Sequence, residues 1–393
     1  MYLPAGFAAS IDTDQIEVSV LTFGPGPAVY ERFGHIAIRI QVENQNIDYL
    51  YDWGNFDFGE PNFVGKFVKG NLLYSMAQKP TSEWLPYYQV EMDRSVTEQM
   101  LDLDPAQKTK LIELLDANLK NPDYLYDALK DNCSTRLRDV LDASVDNQLA
   151  PQWTRTTPNS YRWHIRRLMT VGLDNQALSL LLDICFGPRV DHSLSQWQAA
   201  FVPMELSTFL ETAQLANADG SHRPLVKARR VLNQSMAPGN AEPTTAKSPV
   251  RWALPIGVIL AAFAAIFSYY SRLGFWIIVA VWSAFAAFGA VFFVIILCLT
   301  RHWVVGWNEN FLQFSPLSLG ILAGTLVPRW RNALSSLPML AVGLSTVGLA
   351  ITISHLTIQQ NAPAVCLAFP LHLAVMLGWK QRASSAADPI QND

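Results

Sequence analysis

The chain has 393 residues, of which 50% are hydrophobic and only 16% are charged, and its formal net charge is −4. The charge is uneven, because 30 of the 33 acidic and 23 of the 29 basic residues precede position 252, which gives the first part about −7 and the second about +3. An acidic first part offers no basic face to neutralise phosphates and so excludes nucleic acid as a partner. The four cysteines show no CxxC or Cys/His spacing, which argues against a zinc site, and no cofactor is implied.

The first residues resemble the end of an export signal. The string MYLPAGFAAS ends in small residues, as a signal-peptide cleavage site does, and we interpret residues 1–15 as the remnant of a signal peptide. The alternative is that the first membrane helix exports the domain that precedes it.

Strands are predicted early in the chain. Residues 16–23 alternate and contain many β-branched side chains, and the run Gly24-Pro25-Gly26-Pro27 then breaks the pattern. Two further strands, His35–Val42 and Asp48–Trp53, flank a turn at Asn44–Asn46 and form a predicted hairpin.

Helices are predicted later. Asp104 followed by Pro105 is typical of a helix start, and this helix should end near Asn121. A second helix should begin around Cys133, since Asp131 and Asn132 are good capping residues. Further helices are predicted at the segments 160–170, 174–186 and 194–215. Strands early and helices late indicate an α+β domain over residues 16–233.

A membrane domain follows a predicted flexible linker at residues 234–251, which is polar and without periodicity. Five segments are apolar for about the length that crosses a bilayer: 252–270, 273–299, 311–328, 337–357 and 362–379. With five spans, the basic residues of the short loops and of the tail 380–393 fall on one side, which the positive-inside tendency places in the cytoplasm. The predicted localisation is therefore the inner membrane, multi-pass, with the N-terminal domain in the periplasm.

Cys133 and His35 are the candidate reactive groups. A helix N-terminus favours the thiolate form of a cysteine, and a histidine on a neighbouring strand can take and return a proton if a third polar group orients it. Asp52 or Asn55, on the second arm of the hairpin, is the candidate for that orienting group. Two alternatives stay open, namely that Cys133 is an ordinary packed side chain, or that it forms a disulfide with Cys185.

Several strings of the sequence resemble one known family. They are FGHIAIRI, YLYDWGNFDF, FVKGNLLYSM and YLYDALKDNCSTRLRDVLD, and the likeness continues in FGPRVDHSLSQWQAAFVPMEL and RHWVVGWNENFLQFSPLSL. Together they resemble the Lnb family of lipoprotein N-acyltransferases of the Bacteroides type, from about residue 16 to residue 379. The resemblance implies a permuted papain-like fold of the NlpC/P60 type, in which the histidine strand precedes the cysteine helix, followed by an all-α bundle of about five transmembrane helices.

The resemblance also implies roles for individual residues. Cys133 of DNCST would be the nucleophile and His35 of FGH the general base, with Asp52 as the preferred orienting residue and Asn55 as the second choice. Three residues after the nucleophile would help to hold an oxyanion or a phosphate, with helix capping and a surface ion pair as the alternative: Ser134, Thr135 and Arg136. In the loop 301–311, three polar side chains would contact lipid head groups, with anchoring by tryptophans as the alternative: His302, Asn308 and Asn310.

The expected activity is acyl transfer from a phospholipid, through a thioester on Cys133, to an amine, which the family likeness suggests is the N-terminus of a lipoprotein. Two other hypotheses remain. The dyad would serve a cysteine peptidase or amidase of the cell envelope if the acceptor were water, and the domain would be a scaffold module if the dyad were inert.

Overall fold

The computed structural model describes residues 13–217, 219–330 and 336–387. They form two compact units: an N-terminal unit that runs to Asn175 and resumes at Ser193–Ala246, and a C-terminal unit made of Gln176–His192 and the chain from Lys247 onward. The predicted signal-peptide remnant lies outside the described residues, apart from a helical turn at Thr13–Gln15.

A mixed antiparallel architecture of strands and helices makes up the N-terminal unit. The strands are β1 (Glu17–Phe23), β2 (His35–Val42), β3 (Ile47–Asn55), β4 (Leu73–Pro80), β5 (Val96–Leu101), β6 (Asp123–Leu125), β7 (Thr156–Ser160), β8 (Ser193–Ser195), β9 (Gln214–Ala216), β10 (His222–Pro224) and β11 (Val226–Asn233). In the described part of the chain, seven of them form one sheet in the order β11-β5-β1-β2-β3-β4-β6, and the pairs β7-β8 and β9-β10 stand apart.

The hairpin of β2 and β3 lies in the middle of this sheet, as predicted. Ile38 pairs with Tyr51, and a tight turn that contains Asn46 with a φ of 56° connects the strands. Asparagine tolerates this left-handed conformation better than most residues do. Because isoleucine and valine fill the buried positions of β2, the register of the hairpin is fixed by its packing.

The helices up to residue 212 are α1 (Phe63–Lys69), α2 (Thr81–Pro86), α3 (Pro105–Lys120), α4 (Cys133–Ser144), α5 (Tyr161–Leu168), α6 (Leu173–Cys185), α7 (Gln196–Ala199) and α8 (Pro203–Thr212). Helix α4 packs against β2, β3 and α3 through buried residues that include Leu137 and Leu141. Most of α6 belongs to the C-terminal unit. The start of α4 therefore lies against the central hairpin of β2 and β3.

Two predicted segments differ from the structure. The single helix expected at 194–215 is divided into β8, α7, α8 and β9, because Pro203 starts a new helix and the chain turns before it. The linker expected at 234–251 is in part ordered against the N-terminal unit. The backbone N–H of Ala237 donates to Asp93 at 3.0 Å, and the Asn240 amide donates to the Asp93 carbonyl at 2.8 Å.

The C-terminal unit is helical and apolar. Its further helices are α9 (Val250–Tyr270), α10 (Arg272–Val294), α11 (Leu319–Leu326), α12 (Leu337–Ser354) and α13 (Ala362–Ala387). Among the described residues, Val250–Phe267 and Leu337–Ser354 are long and apolar enough to cross a bilayer, and Val279–Val294 and Ala362–Gly378 are shorter apolar helices. The span expected at 311–328 is not one continuous helix, since short 3-10 turns precede α11 and Pro316 interrupts the segment. A multi-pass topology stays a prediction.

Replacing Asn132 with alanine should lower the stability of the N-terminal unit. Its side-chain oxygen accepts from the N–H groups of Ser134 and Thr135 at 2.9 and 3.0 Å, and its amide donates to the carbonyls of Ala128 and Phe201. Losing a helix cap and two bonds to backbone carbonyls, of which that to Phe201 is buried, should cost about 2 kcal/mol or more. Thermal unfolding of the purified protein in detergent measures this loss.

The matched control is Asp104→Ala, which removes the cap of α3. Asp104 accepts from the Gln107 N–H at 2.9 Å and lies at a more exposed position, so the control should cost about 1 kcal/mol. An Asn132→Ala protein as stable as the control would contradict this account of how α4 begins.

Candidate active site

The hairpin of β2 and β3 places an imidazole against a carboxylate. Because Ile38 pairs with Tyr51, residue 37 faces Asp52, and His35 lies two positions away on the same face of the sheet. The His35 Nε2 atom is 2.8 Å from Asp52 Oδ2, with only 16% of the His35 side chain and 4% of the Asp52 side chain exposed. Of the two candidates for the orienting position, Asp52 is the one that contacts His35.

Cys133 is the first residue of α4 and lies over the same hairpin. His35 hydrogen-bonds to Asp52, and Cys133 lies close enough to His35 to contribute to the raised pKa of the imidazole. The backbone of Gly54 in β3 passes close to the nucleophile candidate, since a Cβ atom placed on Gly54 would lie 3.5 Å from the Cys133 Cβ atom. Gly54 has a φ of 95°, which L side chains rarely adopt, so a glycine is required where β3 passes Cys133.

Two more side chains hold Asp52. The Lys79 ammonium on β4 donates to Oδ2 at 2.8 Å, and the Asn55 amide donates to Oδ1 at 3.0 Å and to the Ser75 carbonyl at 3.2 Å. Asn55 therefore orients Asp52, which in turn orients His35. The sequence analysis missed Lys79, which reaches Asp52 only through the pairing of β3 with β4.

The charges of His35, Asp52 and Lys79 stabilise one another. Burial of His35 opposes its protonation, but hydrogen bonds to Asp52 and Cys133 outweigh this and raise its pKa to about 9. Burial likewise opposes ionisation of Asp52, yet its hydrogen bond to His35 and the nearby charges of His35 and Lys79 hold its pKa below the usual value. The pair is therefore an imidazolium and a carboxylate at neutral pH.

Aromatic rings form one wall of the site. The rings of Tyr88 and Phe23 stack with centroids 4.0 Å apart, and the His35 ring lies about 6 Å from each. Burial, followed by the charge of Asp52, raises the pKa of Tyr88, so this phenol stays neutral. The Arg94 guanidinium lies over the Tyr88 ring at 5.3 Å. The wall restricts access of water to His35, and the sequence analysis did not include it.

Of the three residues after Cys133, Ser134 and Thr135 are buried and Arg136 is partly exposed. The buried Ser134 hydroxyl donates to the Ala200 carbonyl at 2.7 Å, and the Thr135 hydroxyl accepts from the Asn132 N–H at 2.8 Å. Arg136 forms an ion pair with Asp131, with Nη2 2.7 Å from Oδ2. These contacts agree with the alternative of capping and a surface ion pair, and a role of the three residues in holding an oxyanion or a phosphate stays a prediction.

The loop residues of the C-terminal unit have structural partners. The Asn308 amide donates to the carbonyls of Ile184 and Cys185, and the Asn310 amide donates to those of Asp183 and Ile184. Both side chains are buried and satisfy carbonyls at the end of α6, as a helix C-terminus requires. His302, which is half-buried, lies on the same loop. The amides of Asn308 and Asn310 therefore have partners within the C-terminal unit itself.

Cys133 and Cys185 are both free thiols, so the disulfide alternative is not realised. Burial raises the pKa of the Cys185 thiol to about 12, which keeps it protonated and unreactive. Cys185 is therefore a suitable comparison for Cys133 in experiments on thiol chemistry.

Replacing Asp52 with asparagine should change how stability depends on pH. In the parent protein the imidazolium of His35 stabilises the fold fully below pH 6.5, and this contribution is lost as the pH rises through about 9. Without the Asp52 charge, the pKa of His35 should fall towards its ordinary value. The difference in unfolding temperature between parent and Asp52→Asn should therefore shrink between pH 6.5 and about 9, as a series of thermal unfolding curves would show.

The control is Asp123→Asn, which removes an exposed carboxylate from β6. This variant should differ from the parent by the same small amount at every pH in the window. A stability difference for Asp52→Asn that stayed constant across the window would contradict the coupling of Asp52 to His35.

The N-terminal unit also matches a known family. Residues 4–167 match the family model described as the Lnb N-terminal periplasmic domain, a range that contains His35, Asp52 and Cys133. Neither the curated proteins nor the solved structures contain a significant match to the chain. The N-terminal part of the chain is therefore similar to the Lnb N-terminal periplasmic domain over residues 4–167.

Proposed function

We propose that the protein is a membrane-anchored thiol acyltransferase of the periplasm, which moves an acyl chain from a phospholipid to the N-terminal amine of a lipoprotein. The observation that carries the proposal is the contact of Cys133 with His35, which Asp52 orients. The phospholipid and the lipoprotein come from the likeness to the Lnb family and not from the geometry.

The first half of the reaction forms a thioester. His35 carries the proton of the Cys133 thiol as its imidazolium, and the thiolate attacks the ester carbonyl of the phospholipid. The carbon–oxygen bond of the ester then breaks, and the imidazolium of His35 gives its proton to the departing lysophospholipid oxygen. Asp52 stays ionised throughout and holds the ring in place. The N-terminus of α4 contributes a partial positive charge near the developing oxyanion.

The second half transfers the chain. The lipoprotein amine attacks the thioester carbonyl and gives its proton to neutral His35, which returns a proton to the leaving Cys133 sulfur. The products are an amide and the original thiol, so the cycle consumes no oxidant, reductant or metal. Water as acceptor would release a fatty acid instead, and the wall of Phe23 and Tyr88 beside His35 favours the exclusion of water.

Anchoring suits substrates that are themselves held in a bilayer. The chain carries two helices long and apolar enough to cross a membrane among its described residues. A phospholipid and a lipoprotein would meet such an enzyme within the plane of the membrane, where the effective concentration of tethered partners is high. Membrane anchoring of the enzyme does not raise its effective concentration towards a soluble muropeptide.

Cys133→Ser and His35→Ala should each abolish transfer. Loss of the nucleophile removes the thioester, and loss of an acid–base group costs about 10²–10⁴-fold in rate. The test is expression in a bacterium depleted of its own lipoprotein N-acyltransferase, followed by mass spectrometry of the first residue of a lipoprotein. The parent and the control Cys185→Ser should restore the N-acyl group, whereas the two variants should not, although all are present in the membrane.

Two outcomes would contradict the proposal. If the parent leaves the lipoprotein amine free but cleaves muropeptides in a Cys133-dependent manner, the protein is a peptidase or amidase. If Cys133→Ser and His35→Ala behave like the parent in every assay, the domain is a scaffold module.

A further inference from the structure

A group of apolar side chains is exposed on the N-terminal unit beside the hairpin that carries His35 and Asp52. We call it the aromatic face, and it consists of Tyr30, Phe58, Phe63, Val64 and Phe67. Tyr30 is 59%, Phe58 61% and Val64 72% exposed. The ring of Phe58 contacts those of Tyr30 and Phe63 at centroid distances of 5.8 and 5.3 Å. A clustered apolar surface of this kind marks an interaction site more often than scattered exposed residues do.

A continuous row of rings runs from the aromatic face to Tyr126. Phe58 contacts Phe56 at 4.7 Å, Phe56 contacts Tyr74 at 4.8 Å, and Tyr74 stacks on Tyr126 at 3.9 Å. Tyr126 directly precedes the β-bridge between Asp127 and Asp131 that leads into α4, and burial, with a smaller contribution from Cys133, raises the pKa of its phenol. Phe56 directly follows Asn55, the residue that orients Asp52. The aromatic face is thus the outer end of a row of rings that leads towards the start of α4.

The composition of the face suits a phospholipid bilayer. Aromatic side chains are enriched where a protein meets the membrane surface, and Lys69 lies in the same helix, α1, as Val64, whereas Lys66 forms an ion pair with Glu60. Lysine side chains at such positions can reach lipid phosphates while their stems stay in apolar surroundings. In a membrane-inserted chain the N-terminal unit is tethered to the bilayer, because the first apolar helix begins at Val250, a few residues after Ala246 ends that unit.

We propose that the aromatic face docks onto the surface of a phospholipid bilayer and opens the row from Phe56 to Tyr126 to a lipid acyl chain. The docking does not depend on the proposed function. The use of the row by an acyl donor does rest on the proposed function. In this arrangement the N-terminal unit contacts the lipid phase directly, in addition to its attachment through the apolar helices.

The test uses the full chain carrying Cys133→Ser, reconstituted in phosphatidylethanolamine and phosphatidylglycerol vesicles that contain a phospholipid with a photoreactive group high in its acyl chain. After illumination, mass spectrometry compares labelling of residues 56–70 with that of residues 226–236. The second segment is the matched control, because Val231 is 54% and Met236 86% exposed and β11 lies at the other edge of the sheet. The account predicts labelling of 56–70 and little or none of 226–236.

Substitutions sharpen the test. Adding Phe58→Asp and Val64→Asp should abolish labelling of 56–70 while the apolar helices stay labelled, whereas Val231→Asp should change nothing; circular dichroism checks that each variant is folded. The proposal would be overturned by equal labelling of the two segments, by labelling that survives the two aspartates, or by crosslinks that join two chains through this face. Since the nucleophile is absent, these outcomes do not depend on whether the protein transfers acyl groups.

Discussion

The hydrogen bond between His35 and Asp52 depends on the register of one strand pair. His35 and Asp52 lie on the same face of the β2-β3 hairpin, and a shift of one residue would move one of them to the other face. Buried isoleucine side chains in β2 and the turn at Asn46 fix this register. Lys79 and Asn55 then hold the carboxylate from two further directions. The pairing of ordinary strands therefore sets the geometry on which any chemistry at Cys133 depends.

The start of α4 is the second constraint. Asn132 accepts from two N–H groups and donates to two carbonyls, so it determines where the helix begins and places Cys133 at its first position. The same cap uses the N–H groups of Ser134 and Thr135. These two N–H groups therefore donate to the helix cap. The partial positive charge of the helix N-terminus acts on the thiol.

Local patterns were sufficient to predict the elements that carry the dyad. Alternation gave β1 and the hairpin, and the pairs Asp104-Pro105 and Asp131-Asn132 gave the starts of α3 and α4 at Pro105 and Cys133. Strands β4, β5 and β11 were missed because they carry polar side chains whose partners are distant in sequence. In β5, for example, Glu98 binds Ser19 and Arg39 of neighbouring strands.

Contacts between distant segments also explain the remaining differences. Lys79 and Tyr88 reach the site only through the folded sheet, so no spacing in the sequence identifies them. Asn308 and Asn310 donate to the carbonyls that end α6, a helix more than a hundred residues earlier in the chain, which their position in the sequence does not indicate. The segment Gln176–His192 joins the C-terminal unit for the same reason, although it is adjacent in sequence to the N-terminal unit.

The central claim is that the Cys133 sulfur carries the acyl chain between donor and acceptor. The most direct measurement incubates the full-length protein with a phospholipid bearing an isotope-labelled acyl chain, without an amine acceptor, and analyses the acid-quenched Cys133 peptide by mass spectrometry. The account predicts a labelled acyl group on Cys133 that hydroxylamine removes and that is absent from the His35→Ala protein. An unmodified Cys133 peptide, or equal acylation of Cys133 and Cys185, would contradict it.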